Sequence, residues 1–296
     1  MGRLFRAIAG IIAISLGAAS AQEAGAPAMT FTYAAGQSEI GHIERFHWKV
    51  LEAALERTRK TYGDYRLVPL PPMPISRQEY ELTHEDAAIT IAAFDSTAER
   101  KRKLVPVRIP VDRGLLGYRV LLIREGDQAR FDQIRSLEDL KSIQFGLLPT
   151  WSDARIMRSA GLNVVDGDSY DGLYRMLAAK RFDAFSRGIT EVVKDFERAK
   201  SISPGLAIER HILLHYPMPV YFWFPDDRDG HRRAVRVREG LAGMVADGSL
   251  AAMIRERYRA DLADLDIAGR RVIDVPNPLL DGQDPLDDDR LWFRPQ

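Results

Sequence analysis

A chain of 296 residues with 42 basic and 42 acidic side chains carries no formal net charge, which removes the general electrostatic case for nucleic acid or an anionic membrane surface as partner. It contains no cysteine, so disulfides, thiol nucleophiles, thiolate metal sites and the acceptor of a bacterial lipoprotein anchor are excluded together. Its length exceeds the usual size of one compact unit and predicts two lobes.

Arg3 and Arg6, an apolar run from Ala7 to Ala18, and Ala19-Ser20-Ala21 before Gln22 follow the pattern of a secretory signal peptide over residues 1–21. The run is short for a bilayer span, and no later segment is a sustained apolar stretch. Cleavage after Ala21 would leave 275 residues and, with Arg3 and Arg6 removed, a formal charge of −2. A periplasmic protein free of the membrane is expected.

Met29 to Tyr33 alternates like a first strand, and Ile43 to Tyr62 has apolar residues at helical spacing until Gly63-Asp64 breaks it. Tyr65 to Leu70 predicts a second strand, Pro69 to Pro74 a loop, and Ser76 to Glu85 a polar helix. Ala87 to Phe94 is an apolar run of the kind found in strands covered on both faces, ending at Asp95-Ser96-Thr97. Gly117 to Arg124 is rich in β-formers and predicts a connection between lobes.

The stretch from Ser136 to Arg187 carries the most information. Ser136 to Lys141 predicts a capped helix, Gln144 to Leu148 a buried strand, and Ser152-Asp153 the start of a further helix. Val164-Val165 is a brief strand, Ser169 caps a helix from Tyr170 to Lys180, and Phe182 to Phe185 returns to the sheet. Open α/β sheets bind ligands beyond the carboxyl ends of their strands, where helix amino termini offer free N–H groups. The loops Pro149 to Asp153 and Ser186 to Gly188 are therefore the expected pocket.

Tyr221 to Phe224, between Pro219 and Pro225, predicts the return crossing. Asp227 caps a helix from Arg228 to Ala246, and Leu250 to Tyr258 forms another. Residues 266–296 predict an extended tail held by Leu291-Trp292-Phe293, because a disordered tail has little use for those rings.

This order of elements resembles the type 2 periplasmic solute-binding proteins, family 3, which serve amino-acid uptake. The residues that carry the resemblance are Ser96-Thr-Ala-Glu-Arg100, Gly117-Tyr118-Arg119, Ser136 to Lys141, Leu177 to Ala184, and Ala246-Asp-Gly-Ser-Leu250. Phe185-Ser-Arg-Gly188 and Asn277-Pro278 resemble a branch of that family whose ligand is generally unassigned. The resemblance implies an α/β fold of two lobes, each a mixed sheet flanked by helices and joined by two crossover segments. Residues 28–122 and 221–265 would form the first lobe and 123–220 the second. It also implies a monomer that captures a small carboxylate-bearing solute without cofactor, metal or catalysis, for an ABC-type importer. The alternatives are a sensing module for a membrane signalling protein and an exported lyase-like enzyme using Glu99 or Asp153.

By the same resemblance Arg100 grips a ligand carboxylate, since a guanidinium matches a carboxylate bidentately. Thr97, beside Ser96, adds a hydroxyl; Ser152 and Asp153 stand at the turn before a second-lobe helix, with Trp151 available to stack on a ligand. One departure matters. The acid that usually pairs with a ligand ammonium is replaced by Gly188, preceded by Arg187, and a cation there disfavours an ammonium. The expectation is an anionic solute with more than one acidic group, held by Arg100 and Arg187.

Each residue also has an ordinary reading. Arg100 lies in the basic run Arg100 to Lys103, which as a solvated face would do nothing. Arg187 could pair with Glu191 as an exposed i,i+4 pair, and Trp151 could be core. His42 with His47, and His211 with His215, lack the acidic company of a metal site. Asp166 and Asp168 fit turn chemistry better than acid-base work.

Overall fold

The computed structural model describes residues 28–35 and 41–295, and the side chains of all of these except 41–45. The expected signal peptide and the His42 side chain lie outside the described residues. Twelve strands are described: β1 Met29–Ala34, β2 Tyr65–Leu70, β3 Ala92–Asp95, β4 Leu104–Val107, β5 Tyr118–Arg124, β6 Gln144–Leu147, β7 Asn163–Asp166, β8 Ala184–Gly188, β9 Leu206–Ile208, β10 Ile212–His215, β11 Val220–Pro225 and β12 Arg271–Asp274.

β1 and β2 pair in parallel, Phe31 opposite Leu67, across the helices Gly41–Arg57 and Arg59–Tyr62. Phe46, Val50, Leu51, Ala54 and Leu55 recur at helical spacing and are buried, while Lys49, Glu52 and Glu56 face water. Each large apolar side chain so covered contributes about 1.5–3 kcal/mol. β11 lies between β3 and β4, antiparallel to both, and the helix Arg228–Ala246 packs on it, started by the Asp227 carboxylate accepting from the Gly230 N–H at 2.6 Å. These pieces form the first lobe.

The second lobe is a seven-stranded sheet in the order β12-β10-β5-β8-β6-β7, with β9 also on β5. β5 is antiparallel to β8, β9 and β10, whereas β6 is parallel to β7 and β8. The sheet is therefore mixed. Ser136 caps Leu137–Leu140 in a reciprocal box with Asp139, and Ser169 caps Tyr170–Ala178, both as the sequence predicts. The helix Val192–Ile202 and strands β9, β10 and β12 are additions that the sequence reading does not contain.

Several expectations shift. The run Ala87 to Phe94 is a strand only from Ala92. Upstream, Thr90 instead exchanges bonds with Thr32, its N–H donating at 2.8 Å and its hydroxyl accepting at 2.9 Å. β8 begins at Ala184, not Phe182, because Phe182 packs over Gly146, where any side chain would collide with its ring. Ser186, Arg187 and Gly188 are thus strand, not loop, with Gly188 opposite Arg119. Finally, Tyr221 to Phe224 is the middle of a first-lobe sheet. The return crossing is 216–219, beside the outgoing segment 108–117, with the Tyr216 N–H donating to the Gly117 carbonyl at 3.1 Å and the Val111 N–H to that of Val220 at 2.9 Å. A Cβ on Gly117 would drive into the Tyr216 carbonyl, so the crossings approach this closely only through glycine. The outer boundary also moves: β5 belongs wholly to the second sheet from Tyr118, so the expected lobe limit at 122/123 falls inside a strand.

The tail runs over both lobes. β12 joins the edge of the second sheet beside β10. The chain then passes the first lobe, where the Leu279 carbonyl accepts the Ala98 N–H at 2.8 Å, and ends on the outgoing crossing, where Trp292 packs at Gly114 and the Phe293 N–H donates to the Arg113 carbonyl at 2.8 Å.

Candidate functional site

The two lobes leave a cleft made of two cavities that share Arg100, Thr150 and Ser152. The inner one, about 130 Å³, is lined by Ile75, Asp95 and Arg100 from the first lobe, by Leu116 and Met218 from the crossings, and by Arg119, Leu148, Trp151, Asp153, Tyr170, Arg187 and Glu191 from the second. The outer one, about 390 Å³, adds Glu79, Tyr80, Thr97, Glu99, Lys103 and Arg155. Six of the seven residues expected from sequence, all but Ser96, reach this cleft.

Arg100 sits on the short helix Ala98–Lys101, which begins where Thr97 accepts the Arg100 N–H at 3.1 Å. Its Nε bonds Glu79, and its Nη1 bonds the Asp95 carboxylate at 2.7 Å and the Asp95 carbonyl at 2.9 Å. No described residue accepts from Nη2. The guanidinium also lies 5.2 Å from the Phe94 ring centre. Burial works against its charge, and Asp95 and Glu79 outweigh that and hold it above its ordinary pKa. Arg100 is thus an anchored cation with donors left over, not part of a solvated basic face.

Ser96 turns away. Its buried hydroxyl donates to Asp284 of the tail at 2.9 Å, and it lines neither cavity.

On the opposite wall the charges are already paired. Arg187 is 3% exposed, with Nε on Asp195 at 2.6 Å and Nη2 on the Tyr170 hydroxyl at 2.7 Å and on Glu191 at 2.9 Å. Trp151, Tyr170 and Phe185 surround it, their ring centres 5.0–5.3 Å away. Arg119 bonds Asp153, donates from Nε to the Tyr216 hydroxyl oxygen at 2.9 Å, and stands 3.5 Å from Glu191. Tyr216 in turn donates to Asp153. Burial lowers the basicity of both guanidinium groups, but Asp153 for Arg119, and Asp195 with Glu191 for Arg187, raise it further and keep both charged. Burial likewise lifts the Tyr170 and Tyr216 phenols well above their ordinary pKa. Both remain neutral hydroxyls.

The acid expected to be missing at Gly188 is therefore supplied from elsewhere. Glu191 accepts the Gly188 N–H at 3.0 Å and binds Arg187; the i,i+4 pair weighed from sequence as an exposed one is buried, and Asp195 joins it one turn later. Arg187 carries no surplus positive charge into the cleft. Asp153 is bonded into the network rather than free, Ser152 faces both cavities, and Trp151 is half-buried between the inner cavity and the Phe185 ring, stacked at 6.2 Å and 13°.

Sequence reasoning missed Arg119, Tyr170, Asp195, Tyr216 and Asp95 as parts of this site. Arg119 was visible as a charge ahead of the apolar run Val120 to Ile123 of β5, and Asp195 as a second acid at helical spacing from Arg187's partner. Tyr216 had no local signal. Glu99, an alternative acid, is half-exposed and held below its ordinary pKa by Lys103 at 3.2 Å. Asp166, the last residue of β7 rather than part of the turn, pairs with Arg158 at 2.5 Å, and Asp168 accepts from the Ser169 hydroxyl at 3.2 Å just before its helix. His211 and His215 bond the Ile134 carbonyl at 3.0 Å and Asp274 at 2.7 Å. Among the described residues no group of three or more His, Asp or Glu side chains could hold a metal ion.

Comparison with solved structures finds this architecture repeatedly. An ancestral arginine-binding protein bound to arginine shares 18% identity, over 77% of this chain and 98% of its own, at a TM-score of 0.55. A Salmonella typhimurium periplasmic binding protein of high arginine specificity shares 16%, over 78% and 99%, at 0.54. The substrate-binding protein of an amino acid ABC transporter shares 12%, over 78% and 99%, at 0.53. No protein-family model and no curated protein sequence matches the chain. The fold is that of the two-lobed solute-binding proteins, as the sequence resemblance implied.

Proposed function

We propose that this protein is an exported receptor that captures a small amino-acid-like solute between its lobes and presents the closed form to membrane subunits of an ABC-type importer. The observation that carries this reading is the balance of charge in the cleft. Glu79, Asp95, Glu99, Asp153 and Glu191 line it together with Arg100, Lys103, Arg119, Arg155 and Arg187, five of each sign. A di-acid finds no excess positive charge there, whereas a zwitterion can place its carboxylate on Arg100 Nη2 and Thr97 and its ammonium toward Asp95 or Glu191. The solved structures of the same fold, several of them amino-acid receptors, support the same solute class.

Closure follows from the placement of these groups. Thr97 and Arg100 stand on one lobe and Ser152 and Trp151 on the other, so a solute touches both sets only in the closed form. Binding then favours that form by its differential affinity.

A thermal-shift panel of L-glutamine, L-arginine, L-cystine, succinate and glutarate tests the reading. At about 100 times its Kd an amino acid should stabilise the protein by about 2.7 kcal/mol, a rise in Tm of roughly 5–10 °C for a chain of this size. A shift with the di-acids alone, or with none of the five, overturns it.

A further inference from the structure

The turn that carries Thr97 and Arg100 is held in place by a segment of chain nearly two hundred positions away. Asp284 has a side chain with no exposed surface, and it accepts from three donors. The Ser96 hydroxyl reaches its Oδ1 at 2.9 Å, the Tyr221 hydroxyl the same oxygen at 3.0 Å, and the Lys101 ammonium its Oδ2 at 2.6 Å. Ser96 and Lys101 flank the ligand turn on either side, and Lys101 makes a second ion pair with Asp281 at 2.5 Å. A neighbouring tail residue completes the clamp. The Leu279 carbonyl accepts the Ala98 N–H at 2.8 Å, one of the helix-terminal donors that Thr97 leaves unpaired.

The same stretch is tied to the crossings. Asn277 donates to the Pro217 carbonyl at 2.7 Å and accepts from the Leu279 N–H at 2.9 Å, shortly after β12 leaves the second-lobe sheet. A buried carboxylate so paired is expensive to disturb, because its removal strands two hydroxyls and takes one of the two carboxylates from a buried ammonium. The turn itself is only one helical turn long and would fray if left to its own bonds.

We propose that Asp284 is a positioning residue for the solute site: it fixes the Ser96–Lys101 turn and through it the direction of the Arg100 guanidinium. This rests on the reading of the cleft as a solute site, and it places part of that site's specificity in the C-terminal tail.

Hydrogen exchange of the full-length protein without any solute, followed on peptides covering residues 96–103, tests it first. The amides of Ser96, Ala98, Arg100 and Lys101 all have acceptors in the structure, so their protection reads the turn directly. In Asp284→Ala their exchange should accelerate about ten-fold or more, the equivalent of about 1.4 kcal/mol, while peptides over β5, β6 and β8 stay unchanged. Asp284→Asn keeps an oxygen for Ser96 and Tyr221 and should recover most of the protection. Tyr221→Phe, which removes a donor outside the turn, should leave it intact.

The second measurement is the Kd for L-glutamine, expected to rise about ten-fold in Asp284→Ala and to return toward wild type in Asp284→Asn. Unchanged exchange over 96–103, or acceleration by the same factor in β5, β6 and β8, overturns the proposal. Should Asp284→Ala fail to fold, Ser96→Ala combined with Lys101→Met removes the same clamp and is read in the same way. If no amino acid binds the wild-type protein, the receptor reading fails, and the exchange comparison still decides whether Asp284 positions the turn.

Discussion

Arg100 and Arg187 face one cleft from opposite walls and are held in different ways. Arg187 is enclosed by Asp195, Glu191, Tyr170 and three rings, and its charge is spent within the protein. Arg100 is fixed by Glu79 and Asp95 through Nε and Nη1, and its Nη2 has no acceptor among the described residues. A cation counts toward ligand recognition only after its internal partners are subtracted. By that measure the second lobe offers a rigid, neutralised wall, and the first offers the donor.

Substitutions should separate the two arginines, beginning with the largest effect. Arg187→Leu takes the cation from the buried Asp195 and Glu191 and leaves Asp195 with the Tyr170 hydroxyl alone, which should cost about 3–5 kcal/mol of stability in urea unfolding. A loss below 1 kcal/mol would mean that the network is solvated and the contrast false.

The first lobe and the outgoing crossing also differ in their response to acid. His47, on the first-lobe helix, is buried with neither ring nitrogen hydrogen-bonded to a described residue, and burial pushes its pKa down to about 4. Between about 4 and the ordinary 6.5 the unfolded chain binds the proton and the folded one does not. Its contribution is therefore fully present above 6.5 and lost as the pH falls to about 4, a change of about 3 kcal/mol. Asp112, between the lobes, has the opposite sign. Burial raises it to about 6 despite the Leu116 and Gly114 N–H groups it accepts, so its proton stabilises the fold at low pH and that benefit is lost as pH rises through 6. The two slopes oppose each other in wild type. His47→Leu should unmask the second one, its stability relative to wild type increasing by about 3 kcal/mol from pH 7 to pH 4 in paired urea titrations.

Tyr216→Phe removes the hydroxyl between Arg119 and Asp153 and should cost about 1–3 kcal/mol, with solute affinity changed less than stability. Arg100→Ala should show its larger effect on binding: it should abolish the solute-induced Tm shift, while the loss of the mostly buried pair with Asp95 costs the fold about 1–3 kcal/mol. The smallest effect belongs to Thr97→Ala, about 1 kcal/mol for the lost cap, seen as local fraying of the Arg100 turn in hydrogen exchange rather than in the global transition.

Much of the fold was legible because its signals are local. Ser136, Ser169 and Asp227 are followed by their helices since a cap acts within three residues, and the apolar spacing of Phe46 to Leu55 says which face is covered without knowing by what. The helix Val192–Ile202 escaped notice because its first turn carries the buried acids of the site, which mask an apolar face. β10 and β12 are short strands whose identity depends on a neighbour contributed from more than fifty residues away.

The candidate site was legible by position and illegible by state. The amino-acid order alone determined that Thr97, Arg100, Trp151 and Ser152 would stand at turns, because strand ends and helix starts are set by near neighbours in the chain; that the two turns face one another was implied only by the family resemblance. Only the tertiary structure decided that Ser96 serves the tail, that Gly188 has Glu191 beside it, and that Arg187 is neutralised. Those outcomes depend on which charges share a dry interior, and the energy of a charge there is governed by partners brought together through folding, such as Ser96 and Asp284, 188 positions apart.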